Sequence, residues 1–138
     1  MGEFFRAVSF DENQRPPYEL LRDLFIADGR LIRNSGDSPE ISNVDQFIDA
    51  RRAMIDAGEL TSFCESELAN VTEIFGNVAH RFSTYEKRGT LNGLPLLGRG
   101  LISTQFISTP TGWKISSMAW DDERPGLVIP NRYLPNDR

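Results

Sequence analysis

The chain has 138 residues, the length of one ordinary domain and enough to bury a single core. Hydrophobic residues make up 39% and charged residues 25%, a globular rather than a disordered balance. A formal net charge of −5 argues against nucleic-acid backbones and anionic membrane surfaces, which need clustered Lys and Arg, and a lone cysteine, Cys64, excludes an intrachain disulfide.

In chain order, Phe4, Phe5 and Val8 form a short apolar stripe at helical spacing. Pro16-Pro17 opens a second helix, where the missing N–H of proline is not needed. Tyr18, Leu21, Leu24 and Phe25 mark its buried face, and Ala27-Asp28-Gly29 ends it. Leu31 to Arg33 reads as a short strand and Asn34 to Pro39 as a loop. The clearest helix runs from Val44 to Ala57: Val44, Phe47, Ile48, Met54 and Ile55 share a face, Ser42 or Asn43 caps it, and Ser42 with Asp45 fits a capping box. Gly58 stands where a terminating glycine belongs.

From Thr61 the composition changes to Phe, Val, Ile, Thr, Tyr and Trp, with no second long helical period. Strands are expected near 61–75, 77–88, 97–108 and 113–121, joined at Gly76-Asn77 and Thr111-Gly112. Helices followed by long strands and short turns predict an α+β fold, helices on one side of an antiparallel sheet, with residues 1–138 as one domain. No window approaches the roughly 20 apolar residues that cross a bilayer, and no basic-then-apolar leader opens the chain. The cytoplasm is the expected compartment.

The segments Asp45-Gln-Phe-Ile, Phe63-Cys-Glu-Ser-Glu-Leu, Ile74 to Glu86, Gly112-Trp-Lys-Ile, and Trp120 to Gly126 followed by Ile129-Pro130 carry a family resemblance in their order and spacing. Over roughly residues 4–134 the chain resembles the nuclear-transport-factor-2-like superfamily, and within it the bacterial SnoaL-like branch. The resemblance implies a cystatin-like cone, a curved antiparallel sheet wrapped around N-terminal helices, with a hole at the wide end. It also implies a first helix longer than residues 2–9 provide. Related families put isomerisation, dehydration, epoxide hydrolysis, cyclisation or no chemistry into that hole, so fold does not settle function.

His80 is the only histidine. Side chains alternate along a strand, so Val78, His80, Phe82 and Thr84 share one face, the more apolar set, expected to point into the cone. An imidazole there is an acid or base near neutrality, or a satisfied core group. Asp49 is the candidate partner for a His80 dyad. Tyr18, Val78, Phe82, Thr104 and Trp120 are expected to line the pocket. Glu65, Glu67 and Glu73 share a face if their strand is regular. That face reads as the wet outside, although burial would make any one of them a usable base. The acidic run Asp121-Asp122-Glu123 reads as a strand exit. No metal site and no cofactor are expected: Gly98-Arg-Gly100 lacks the strand–loop–helix context of a phosphate loop. The expected ligand is a small apolar or aromatic molecule, taken by an isomerase, dehydratase or cyclase, or by a binding protein without turnover. A homodimer is expected through the outer sheet face, with Arg81, Ser83, Tyr85, Ser103 and Gln105 packed against a second copy.

Overall fold

A computed structural model describes residues 1–136. It comprises α1 (Gly2–Val8), a 3₁₀ turn (Tyr18–Leu20) running into α2 (Leu21–Leu24), β1 (Phe25–Arg33), β2 (Glu40–Ser42) and α3 (Val44–Asp56). Four long strands follow, β3 (Leu60–Phe75), β4 (Val78–Leu91), β5 (Leu94–Thr109) and β6 (Gly112–Asp122), and then a 3₁₀ turn at Asn131–Tyr133. None of the described helices is long and apolar enough to cross a membrane.

One six-stranded sheet has the order β2-β1-β6-β5-β4-β3. The run from β3 to β6 is the expected antiparallel meander. β1, however, pairs parallel with β6, so the sheet is mixed. Asn92 and Gly93 both hold positive φ, 52° and 76°, which suits a two-residue hairpin turn. That tight turn lets β4 and β5 run further toward each other than the sequence reading allowed.

The helix expected to run from Pro16 to Phe25 is a 3₁₀ turn and one helical turn, and β1 begins at Phe25. Pairing of Phe25 with Ile115 claims this residue for the sheet, and Ala27-Asp28-Gly29 lies in a register irregularity of β1 rather than at a helix end. β2 was hidden in the stretch beyond the expected loop; three residues pair with β1 there. α3 matches its expected span but takes its capping box from Asn43 and Gln46, not Ser42 and Asp45. The Gln46 N–H donates to Asn43 Oδ1 at 2.8 Å, and the Asn43 N–H donates to Gln46 Oε1 at 2.9 Å.

Directly paired residues of neighbouring strands share a face, so register sorts the sheet into two sides. Phe63, Glu65, Glu67, Ser83, Tyr85, Lys87, Ile102, Thr104, Met118 and Trp120 lie on the concave side. There Phe63, Tyr85, Ile102 and Met118 join Phe4, Val8, Phe47 and Ile48 of the helices in one core. Val78, His80, Phe82, Ser103, Gln105 and Ala119 lie on the convex side. The C-terminal turn touches that side: the Tyr133 ring meets Phe82 edge-on at 5.1 Å, and the Thr84 hydroxyl donates to the Tyr133 carbonyl.

A β-bulge between Glu67 and Ala69 inserts one extra residue into β3. The alternation slips there. Glu65 and Glu67 face the helices, while Glu73, paired with His80, faces outward.

Candidate functional site

α3 lays one face over the concave side of the sheet without filling it. Between α1, α3 and the sheet lies a cavity of about 390 Å³, within the range of small-molecule sites. Its apolar wall includes Phe47, Met54, Phe63, Leu91 and Trp120. Its charged groups are Arg33, Glu40, Arg51, Glu65 and Lys87. The Trp120 indole stands edge-on to Phe47 at 6.4 Å, which fixes the back of the chamber.

β3 and β4 bring Glu65 and Lys87 into register as direct cross-strand partners. The Glu65 N–H donates to Ser9 Oγ at 3.0 Å, pinning this point of the edge strand to the segment after α1. Burial pushes the Glu65 carboxyl up to about 7, although the Arg51 and Lys87 cations oppose the rise. Its proton is therefore poised near neutrality, the condition for a general acid or base.

Beside it, Lys87 Nζ donates to Asp122 Oδ2 at 2.8 Å, and the Tyr85 hydroxyl donates to Asp122 Oδ1. Burial alone would raise the Asp122 carboxyl, but the bonds from Lys87 and Tyr85 outweigh it and hold Asp122 below its ordinary value. Burial and then the Asp122 bond push the Tyr85 phenol up, so it stays a donor. Asp122 is thus the ionised anchor and Glu65 the carboxyl that changes state. Two neighbouring carboxyls, Glu65 lining the cavity and Asp122 bonded to Lys87 and Tyr85, are driven in opposite directions, one by burial and the other by its hydrogen bonds, the pattern that separates acid–base roles.

Arg51 reaches the cavity from α3 with its guanidinium 4.9 Å from the Phe47 ring centre and 5.0 Å from that of Phe63. Arg33 and Glu40 pair at the rim, Nη1 to Oε1 at 3.1 Å. Further along the concave side Arg81 pairs with Glu67. Burial raises Glu67, but the bonds from Arg81 outweigh it and leave the carboxyl below its usual range.

His80 is not in this cavity. It sits on the convex side, 57% exposed, with Nε2 2.9 Å from Glu73 Oε1. Val78 and Phe82 share that outward face. The apolar set of β4 was expected inside, but the convex side is itself apolar where the Tyr133 turn covers it, so apolar content could not distinguish the two faces. Asp49 is exposed on α3, away from the face that Phe47 and Ile48 bury, and the Asp49–His80 dyad does not form. Tyr18 is fully buried in the core, its hydroxyl without a hydrogen-bond partner. Burial raises that phenol while the nearby Arg51 cation opposes the rise. Thr104 is fully buried on the concave side, also without a partner for its hydroxyl, and does not line the cavity. Trp120 lines it. Arg81, Ser83 and Tyr85, expected on the outer face, point to the concave side, whereas Ser103 and Gln105 do lie outside.

Sequence reasoning named Glu65 but put it outside, and it missed Arg51, Lys87 and the role of Asp122. One signal was available. Arg51 stands four residues after Phe47, on the buried face of the helix. Lys87 gave none until register was known.

No family model and no curated protein matches the sequence. Solved structures do match the fold. An NTF2-like protein of unknown function from Prochlorococcus superposes with a TM-score of 0.67 at 18% identity, covering 88% of this chain and 89% of that one. An NTF2-like protein with a cystatin-like fold from Novosphingobium aromaticivorans gives 0.59 at 17%, covering 77% and 69%. A ketosteroid isomerase-like protein from Erwinia carotovora gives 0.62 at 14%, covering 90% and 88%. At these identities the likeness concerns the fold: the chain has the NTF2-like, cystatin-like α+β architecture.

Proposed function

We propose that the concave cavity is a cofactor-independent acid–base site for a small, largely apolar molecule, with Glu65 as the group that gives and takes the proton. The observation that carries this reading is the Glu65 carboxyl, placed in an apolar chamber and held near 7 beside the cation Lys87. As a carboxylate it removes a proton from carbon next to a carbonyl; as an acid it returns one to a neighbouring position. Lys87 has donors beyond the one given to Asp122 and faces the same space, where it stabilises negative charge forming on the carbonyl oxygen. The outcome is isomerase-, dehydratase- or cyclase-type chemistry, consistent with the isomerase-like protein among the fold relatives.

The test is proton exchange. Enolisable ketones and enones are incubated with the protein in deuterated water and followed by NMR. Catalysed deuterium uptake that falls by about 10²- to 10⁴-fold in Glu65→Gln supports the reading. A wild-type rate equal to that of Glu65→Gln across the panel refutes it and leaves ligand binding without turnover.

A second copy on the convex face is a compatible reading. It is favoured by the apolar groups exposed there, Val71, Phe75, Val78 and Leu97 along the strands and Leu127 and Val128 after them. Solution mass at micromolar concentration checks it. A dimer that Phe82→Glu converts to monomer supports pairing through this face; a wild-type monomer excludes a stable pair.

A further inference from the structure

Three cations line the cavity, Arg33, Arg51 and Lys87. Two are neutralised within the chain, Arg33 by Glu40 at 3.1 Å and Lys87 by Asp122 at 2.8 Å. No carboxylate among the described residues lies within ion-pair distance of Arg51; its guanidinium lies 4.9 and 5.0 Å from the Phe47 and Phe63 ring centres, with the buried Tyr18 phenol near it. The Phe47 and Phe63 rings hold the guanidinium by cation–π attraction, and no carboxylate of the described residues takes its N–H donors. The planar fork of a guanidinium matches a carboxylate through two parallel bonds. The neighbouring wall is flat and apolar, with Trp120, Leu91 and Met54.

From this geometry we infer that the ligand of the cavity is a small organic monoanion, a carboxylic acid with a flat apolar body, whose carboxylate is received by Arg51. The inference rests on the cavity being the functional site and adds the ligand class. Charge balance agrees. With Arg33–Glu40 and Lys87–Asp122 paired off, Arg51 and Glu65 remain, so the chamber carries one positive charge when Glu65 is protonated. Arg51 on α3, Lys87 and Tyr85 on β4 and Asp122 on β6 all face Glu65, and an incoming carboxylate adds a negative charge to this group. Binding therefore favours protonated Glu65, and affinity falls as pH rises past about 7.

The probes are 2-naphthoate and its neutral analogue 2-naphthamide, titrated by NMR and by calorimetry from pH 6 to pH 9. Expected are preference for the acid by about tenfold or more at pH 6, a preference that shrinks at high pH, and its loss in Arg51→Met. Arg51→Lys, which keeps the charge and not the fork, retains part of it. Equal binding of acid and amide, binding of neither, or a preference unchanged in Arg51→Met overturns the assignment. Failure of the underlying reading shows separately: a Glu65 carboxyl that titrates near 4.5 by carbon-13 NMR removes the acid–base role whatever the probes do.

Discussion

β3 and β4 carry two acid–base pairs of the same chemical kind with opposite fates. At one end of the strands Glu65 faces Lys87; at the other Glu73 faces His80. The first pair lies on the concave side, where burial lifts a carboxyl to about 7. The second lies on the convex side, with side chains 57% and 72% exposed, where water screens the ion pair and its worth is small. Both glutamates stand at odd positions of one strand. A single extra residue at the bulge between Glu67 and Ala69 separates them, so chemistry follows facing rather than residue type. The histidine, the more conspicuous catalytic residue, is on the wrong side of the sheet.

The contrast breaks most completely if the concave wall itself is deformed. A Cβ added at Gly100 would run into the Asp121 carbonyl oxygen and the Tyr85 ring and hydroxyl, beneath the Tyr85–Asp122 bond. Gly100→Val is expected to cost more than about 3 kcal/mol, read by urea denaturation, because backbone and a buried tyrosine cannot both move aside. A neutral effect there would mean the wall is not packed as described.

Next in size is the pH dependence that Glu65 imposes. Its folded carboxyl sits near 7 against an ordinary 4.5. Between those values the unfolded chain has released this proton and the folded chain has not, so stability declines as pH rises through the window and levels off above it. The decline reaches up to about 3 kcal/mol. Glu65→Gln has no such proton, so its stability relative to wild type grows from pH 4.5 to pH 7. Parallel stability–pH curves for the two proteins would place Glu65 in water instead.

Tyr85→Phe removes one of the two bonds to Asp122 while Lys87 keeps the other. The expected loss is about 1–2 kcal/mol, with a raised Asp122 pKa visible by carbon-13 NMR. The smallest effect belongs to the convex pair. His80→Ala should change stability by no more than about 0.5 kcal/mol and leave the Glu65 titration where it was. A shift in Glu65 on removing His80 would erase the distinction between the two ends of the strands.

Local patterns made much of the architecture legible. The helical period of Val44, Phe47, Ile48 and Met54 placed α3. The glycine turns at Gly76 and Gly112 placed two of the three hairpins of the meander, and the succession of helices before strands marked the α+β class. These signals act over a few residues, so sequence alone determined them. Tertiary structure decided everything that depends on which way a strand faces. Along β4, Phe82 outside and Tyr85 inside are equally apolar in a list of residues; they separate only when helices cover one side of the sheet and a short C-terminal turn touches the other. The bulge in β3 leaves no compositional mark, yet it reverses the facing of the residues after it in that strand. Lys87, Asp122 and Arg51 come from three separate elements, and only the fold brings them together around Glu65. Side-chain alternation has a period of two, so one inserted residue is enough to exchange an inner carboxyl for an outer one.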